Sequence, residues 1–140
     1  MNKIRFKIAT PERVVYESEV DSVSCPTEMG EVTILPNHIP LVANLRAGEL
    51  RVDGKNIFVA GGFLEVRPGN EVVILADAAE HEEEIDLARA EEARERARKA
   101  MSEQTLSEEE YAATAAALEK SLARIQFAKK RKYRDVGKQS

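Results

Sequence analysis

Asp86 and Arg89 set a carboxylate and a guanidinium three residues apart in a stretch of helical periodicity, a spacing that puts both on one helix face. Taken alone, they read as a surface ion pair contributing about 0.2–0.5 kcal/mol. Glu82, Glu83 and Glu84 crowd carboxylates as acid–base chemistry would need, but an acidic run at a helix start is accounted for by the helix dipole. His38 and His81 stand in no metal-binding spacing, and neither a phosphate-binding Gly-rich loop nor a Gly-x-Ser-x-Gly elbow occurs. Cys25 is the single cysteine, which excludes an internal disulfide and any multi-cysteine metal site. No catalytic residue and no metal ligand is therefore expected.

The elements that position these residues fall into two halves with different periods. The chain has 140 residues, 33% charged and 43% hydrophobic with a net charge of −4, which suits one packed domain with an appendage. Ile4, Phe6 and Ile8 alternate with polar residues, and Val14-Val15-Tyr16 and the run from Val20 to Cys25 are further strand-like stretches. Asp53-Gly54 marks a hairpin, Pro68-Gly69-Asn70 another turn and Gly61-Gly62 a tight bend. Residues 1–79 thus read as an antiparallel β-sandwich or flattened barrel.

After Ala78 the period becomes helical, giving an α+β chain whose residues 80–140 form an antiparallel two-helix hairpin. Ala90, Ala93, Ala97 and Ala100 line one face of the first helix, a seam that invites close approach. Ser107-Glu108-Glu109-Glu110 reads as a capping box, and Tyr111, Ala115, Leu118, Leu122 and Ile125 form the stripe of a second helix. So few large side chains hold the hairpin that it is expected to open without unfolding the head. Acid gathers between Glu80 and Glu95, and base at Lys129, Lys130, Arg131, Lys132 and Arg134. Met1 to Pro11 lacks the pattern of a signal peptide, and no stretch is apolar enough to span a bilayer, so membrane association is expected only through a partner.

Gly30-Glu31-Val32-Thr33-Ile34-Leu35-Pro36-Asn37-His38-Ile39-Pro40-Leu41 resembles a loop-and-strand signature of the epsilon subunits of bacterial F-type ATP synthases, which are proton-translocating. Ala60-Gly61-Gly62-Phe63-Leu64-Glu65-Val66, continued by Pro68-Gly69-Asn70 and Val72 to Asp77, resembles a second. The chain departs from the commoner glycines at Thr33 and Asn37. Asparagine tolerates positive φ, so Asn37 is expected to keep its turn, a tolerance Thr33 lacks.

The resemblance implies a non-catalytic rotor subunit whose head binds the gamma subunit and the polar loops of the c-ring, with Glu31 and His38 in the partner-facing region. It places the chain peripherally at the cytoplasmic face of the bacterial plasma membrane. Ile85-Asp86-Leu87-Ala88-Arg89-Ala90 is similar to the motif with which some epsilon subunits bind ATP in a folded hairpin. On that likeness ATP is a regulatory ligand and no cofactor is required. Asp86 accepts a hydrogen bond, Arg89, Arg124 and Arg96 supply positive charge, Glu80 assists, Ala90 completes the motif, and Lys120 replaces a second arginine. At low ATP the hairpin would open, extend along gamma toward the alpha–beta hexamer and inhibit hydrolysis, its basic tail meeting acidic surface. Two other readings are a free-standing β-sandwich nucleotide sensor and a nucleic-acid-binding module using the basic tail. The second has only Tyr133 beside its charge cluster for stacking.

Overall fold

A computed structural model describes residues 3–103 and 105–138, with side chains through residue 130. The chain divides into two units, Met1–His81 and Glu82–Ser140.

Alternating apolar side chains, as within Ile4–Ala9 and Phe63–Arg67, and continuous apolar runs, as within Lys55–Ala60 and Glu71–Leu75, build the first unit as two five-stranded sheets. The strands are β1 (Ile4–Ala9), β2 (Val14–Val20), β3 (Val23–Thr27), β4 (Gly30–Ile34), β5 (Leu41–Asn44), β6 (Gly48–Val52), β7 (Lys55–Ala60), β8 (Phe63–Arg67), β9 (Glu71–Leu75) and β10 (Ala78–His81). One sheet runs β2-β1-β9-β8-β5 and the other β10-β7-β6-β3-β4. Their inward residues, among them Phe6, Ile8, Val23, Leu50, Ile57, Leu64 and Ile74, are fully buried in one core. Each such side chain contributes about 1.5–3 kcal/mol of burial free energy. Cys25 belongs to this core. Desolvation, then the charge of Glu31, pushes its thiol up to about 12, so it packs as an apolar residue at neutral pH.

The turns lie where their chemistry puts them. Asp53 (φ 53°) and Gly54 (φ 72°) join β6 to β7, both in the left-handed region that a two-residue hairpin demands. Gly61 and Gly62 carry the chain from β7 in one sheet to β8 in the other. Three details differ from the periodicity reading. β1 and β9 pair in parallel within an otherwise antiparallel sandwich. The run from Val20 to Cys25 breaks at Asp21-Ser22 into two strands, one in each sheet. Glu80 and His81, assigned to the helical half, belong to strand β10 (Ala78–His81), paired with β7 from Ala78↔Ala60 to His81↔Ile57. There the ladder satisfies backbone groups and Ala79 packs in the core, overriding alanine's helix propensity.

The second unit begins with a 3₁₀ turn, Glu82–Glu84, followed by α1 (Leu87–Glu103) and α2 (Glu108–Lys138). Asp86 caps α1: its Oδ1 accepts from the Arg89 backbone N–H at 3.2 Å. Ser107 caps α2, its Oγ accepting from Glu110 N at 3.1 Å and donating to Glu110 Oε1 at 3.1 Å. The helices pack along each other across a four-residue connection, too short to return the chain to the start of a 17-residue helix, so they run antiparallel. Ala90 is fully buried, and Ala93, Ala97 and Ala100 are half-buried along the same seam. On α2 the expected stripe holds in part, with Ala115 and Leu118 half-buried and Ile125 buried. Tyr111 and Leu122 are exposed, while Ser121, Ile125 and Ala128 are buried at steps of four and three. A serine in place of a leucine on the buried line leaves room for close backbone approach.

Candidate functional site

The outer face of the β2-β1-β9-β8-β5 sheet carries two kinds of surface. Cross-strand register puts Arg5 beside Glu71, and Lys7 between Glu17 and Val73. It also puts Arg67 beside Glu71, Glu65 beside Val73, and Phe63 between Leu75 and Asn44. All of these side chains point away from the core, because strand residues alternate. At one end the Arg67 guanidinium bridges Glu65 at 3.0 Å and Glu71 at 2.6 Å, and Arg5 reaches Glu71 at 3.5 Å. Hydrogen bonding to Arg67 holds the Glu71 carboxyl below the usual carboxylate range, and the same carboxylates raise Arg67. These charges are already matched. At the other end Phe63 and Leu75 are exposed, and Val42, 68% exposed, lies between the two ends on edge strand β5, opposite Glu65. A shallow groove of about 480 Å³ runs over the face, bordered by Arg5, Lys7, Glu17, Arg67, Glu71 and Leu75.

The connection of residues 35–40 runs into β5 beside the β8–β9 turn, near the charged end, and carries Leu35 and Ile39, 57% and 75% exposed. His38, half-buried between them, places Nδ1 at 2.7 Å from the Ile39 carbonyl. Asn37 has φ 68°, the left-handed conformation expected of it. Thr33 needs no such conformation: it lies within β4, its Oγ1 at 2.9 Å from Ser24 Oγ. Glu31 is exposed on β4 and ion-paired with Arg51 of β6. At the tip of the β3–β4 hairpin, Met29 is 76% exposed.

The candidate nucleotide residues are distributed as follows. Glu80 lies in β10 of the first unit. In the second, Asp86 and Arg89 meet through the helix cap, carboxylate to backbone N–H, which gives Asp86 a structural duty that the ion-pair reading did not foresee. Arg89 and Arg96 share a face of α1 two turns apart, both exposed, with Ala90 buried beside them. Lys120 and Arg124 lie one turn apart on α2, the first exposed and the second half-buried. Lys129 and Lys130 are exposed. The side chains of Arg131, Lys132 and Arg134 lie outside the described residues, although α2 runs through their positions. Among the described residues no cluster could hold a metal ion, and no helix is long and apolar enough to cross a membrane.

Residues 3–82 match the beta-sandwich domain of the ATP synthase Delta/Epsilon chain, and residues 83–129 match its long alpha-helix domain. The chain belongs to the ATP synthase delta/epsilon chain family. It is 45% identical over 136 residues to an ATP synthase epsilon chain of Dehalococcoides mccartyi, covering 94% of this chain and 96% of the relative. With that of Carboxydothermus hydrogenoformans it shares 51% over 108 residues, 74% of this chain and 80% of the relative. Among solved structures, a chain of the Euglena gracilis mitochondrial ATP synthase, determined with OSCP, F1 and c-ring, superposes with a TM-score of 0.72 at 26% identity, covering 86% of this chain and 78% of the other. A chain of the Tetrahymena thermophila synthase shares the fold at 14% identity and a TM-score of 0.68. As an epsilon-type chain the protein is a non-catalytic subunit of the synthase central stalk.

Sequence reasoning missed the exposed apolar residues Val42, Phe63 and Leu75 of the sheet face and Leu35 and Ile39 of the connection, although a signal was present. The alternation that sends Leu41 and Ala43 inward sends Val42 outward, as an apolar residue on a solvent face.

Proposed function

We propose that the head docks the gamma subunit through Val42, Phe63 and Leu75 of its outer sheet face and through the 35–40 connection, which adjoins the β8–β9 turn at the opposite end of these strands, and meets the polar loops of the c-ring through the β3–β4 hairpin with Met29 and Glu31. The observation carrying this reading is the apolar group of Val42, Phe63 and Leu75 beside a charged end that neutralises itself. Matched charges gain little from a new partner, whereas exposed apolar area gains with every Å² removed from water. Gamma, this chain and the ring then turn together during proton-driven ATP synthesis. The chain is held peripherally at the cytoplasmic face of the plasma membrane by the complex. A free-standing sensor would leave this surface without an occupant.

The hairpin is the regulatory part, and its ligand is ATP. Arg89, Arg96, Arg124 and Lys120 provide the cationic groups for the phosphates, and Asp86 accepts a hydrogen bond from the nucleotide. ATP that binds only the folded hairpin stabilises it by about 0.4 kcal/mol at a concentration equal to Kd and about 1.4 kcal/mol at tenfold excess. A hairpin held by few large side chains responds to such a bias. Since Asp86 also caps α1, Asp86→Ala would confound capping with binding, at a cost of about 1 kcal/mol to the helix. Asp86→Asn keeps a cap. In isothermal titration the native chain is expected to bind one ATP saturably and Asp86→Asn to bind at least about tenfold more weakly, with unchanged helix content. Equal binding by both chains would remove Asp86 from the site, and no binding to millimolar ATP would leave the motif a helix cap.

At low ATP the opened α2 reaches the alpha–beta hexamer and restrains hydrolysis. The basic tail supplies the contact through Lys129, Lys130, Arg131, Lys132 and Arg134. Neutralising Lys129, Lys130, Arg131 and Lys132 is expected to raise ATP hydrolysis by the assembled complex without weakening attachment to gamma. Unchanged hydrolysis would reject this role for the tail.

A further inference from the structure

Two asparagines in left-handed backbone conformations, 33 residues apart in sequence, are hydrogen-bonded to one another. Asn37 (φ 68°) belongs to the connection from β4 to β5, and Asn70 (φ 60°) closes the β8–β9 turn. The Asn37 backbone N–H donates to Asn70 Oδ1 at 2.5 Å, and Asn70 Nδ2 donates to Asn37 Oδ1 at 3.4 Å. The Asn70 carbonyl accepts in turn from the backbone N–H of Arg5, at 2.8 Å, where β1 begins. One residue therefore ties together a turn, the start of a core strand and a surface connection.

That connection has particular need of such a tie. It leaves one sheet at Ile34 and joins the other at Leu41, and Pro36 and Pro40 remove two of its backbone donors while fixing φ. Its own turn is closed by His38 N donating to the Leu35 carbonyl at 3.2 Å. What it displays is apolar: Leu35 and Ile39 face water, with His38 between them. Left-handed non-glycine residues cost free energy and persist where the surroundings over-determine them. Here each asparagine amide makes the bond that holds the other's segment. A surface loop stiffened in this way, with its large apolar side chains outward, loses little conformational freedom when a partner covers it.

We infer that Asn70 is a positioning residue for partner docking: its side chain clamps Asn37 and so presets the 35–40 connection to display Leu35, His38 and Ile39. This rests on the reading that the head docks gamma there, and it adds a residue outside the docking surface that governs how well the surface works. The clamp acts through the loop and touches no partner itself.

Asn70→Gly and Asn70→Asp separate the clamp from the turn. Glycine keeps the positive φ and removes the amide, whereas aspartate keeps an oxygen to accept from Asn37 N–H. In the full chain, Asn70→Gly is expected to speed hydrogen exchange of the Asn37 amide and weaken binding to purified gamma by about five- to tenfold, mainly through slower association. Asn70→Asp should restore the exchange protection and most of the affinity. A residue that served only the turn would lower the unfolding midpoint without altering gamma affinity at temperatures where the chain is folded. Native chain that binds gamma, with Asn70→Gly binding equally well, would overturn the clamp alone. Native chain that does not bind gamma would overturn the docking reading and the clamp's purpose with it, although the exchange rates would still report whether the loop is held.

Discussion

Gly62→Ala is expected to lower the thermal midpoint of the head by roughly 12–24 °C, read by circular dichroism of the full chain in the β-sheet region. Gly62 has φ +88°, where an L side chain is strained by about 1–3 kcal/mol. A Cβ added there would also fall 1.9 Å from the Leu75 carbonyl oxygen and 2.9 Å from Ala76 Cα. These are backbone atoms of β9 and of the segment leaving it, so no rotamer change relieves the clash. Strain and displaced backbone together are expected to cost at least about 3 kcal/mol, a large share of the stability of a domain this size. Gly69→Ala provides the comparison. Its φ is +83° but nothing lies within 4 Å of the added Cβ, so only the conformational cost applies and the midpoint should fall about half as far or less. Equal effects at the two positions would show that close approach at Gly62 contributes nothing.

Phe63→Asp is expected to weaken binding to gamma by about 30- to 700-fold, measured by surface plasmon resonance or by co-purification, while the head stays folded. Phe63 begins β8 with its ring on the outer face, 37% exposed, between Leu75 of β9 and Asn44 of β5. Removing the ring takes an aromatic anchor from the centre of the apolar group, and the new carboxylate must be desolvated with no cation beside it. The Arg67 guanidinium on the same strand is engaged by Glu65 and Glu71. Asn56→Asp, on the outer face of the other sheet, adds the same charge and should leave gamma binding unchanged. A Phe63→Asp chain that binds gamma normally would move the docking surface elsewhere on the head.

The two effects differ because Gly62 and Phe63, though adjacent, face different demands. Gly62 is constrained by backbone approach within the head, Phe63 by what covers the head from outside. The resemblance to the family rests on the Gly61-Gly62-Phe63 stretch as a unit, without separating these duties.

Local patterning by itself determined most of the architecture. Alternating Ile4, Phe6 and Ile8, the Asp53-Gly54 hairpin, the alanine seam of α1 and the cap at Ser107 each rest on interactions within a few residues, and those are written in the order of the chain. Tertiary structure alone decided the features that depend on distant partners. The parallel pairing of β1 with β9 joins segments some 65 residues apart, and β10 is a strand because the edge of β7 was open to it. Asp86 could pair with the Arg89 guanidinium or cap its backbone, and the spacing served both; only the folded helix start selected the cap. The docking face needed register across four strands before Val42, Phe63 and Leu75 came together on one face with Arg5, Arg67, Glu65 and Glu71. Asn37 could be foreseen as a left-handed turn residue, but its bond to Asn70 could not, because a hydrogen bond spanning 33 residues leaves no period in the sequence.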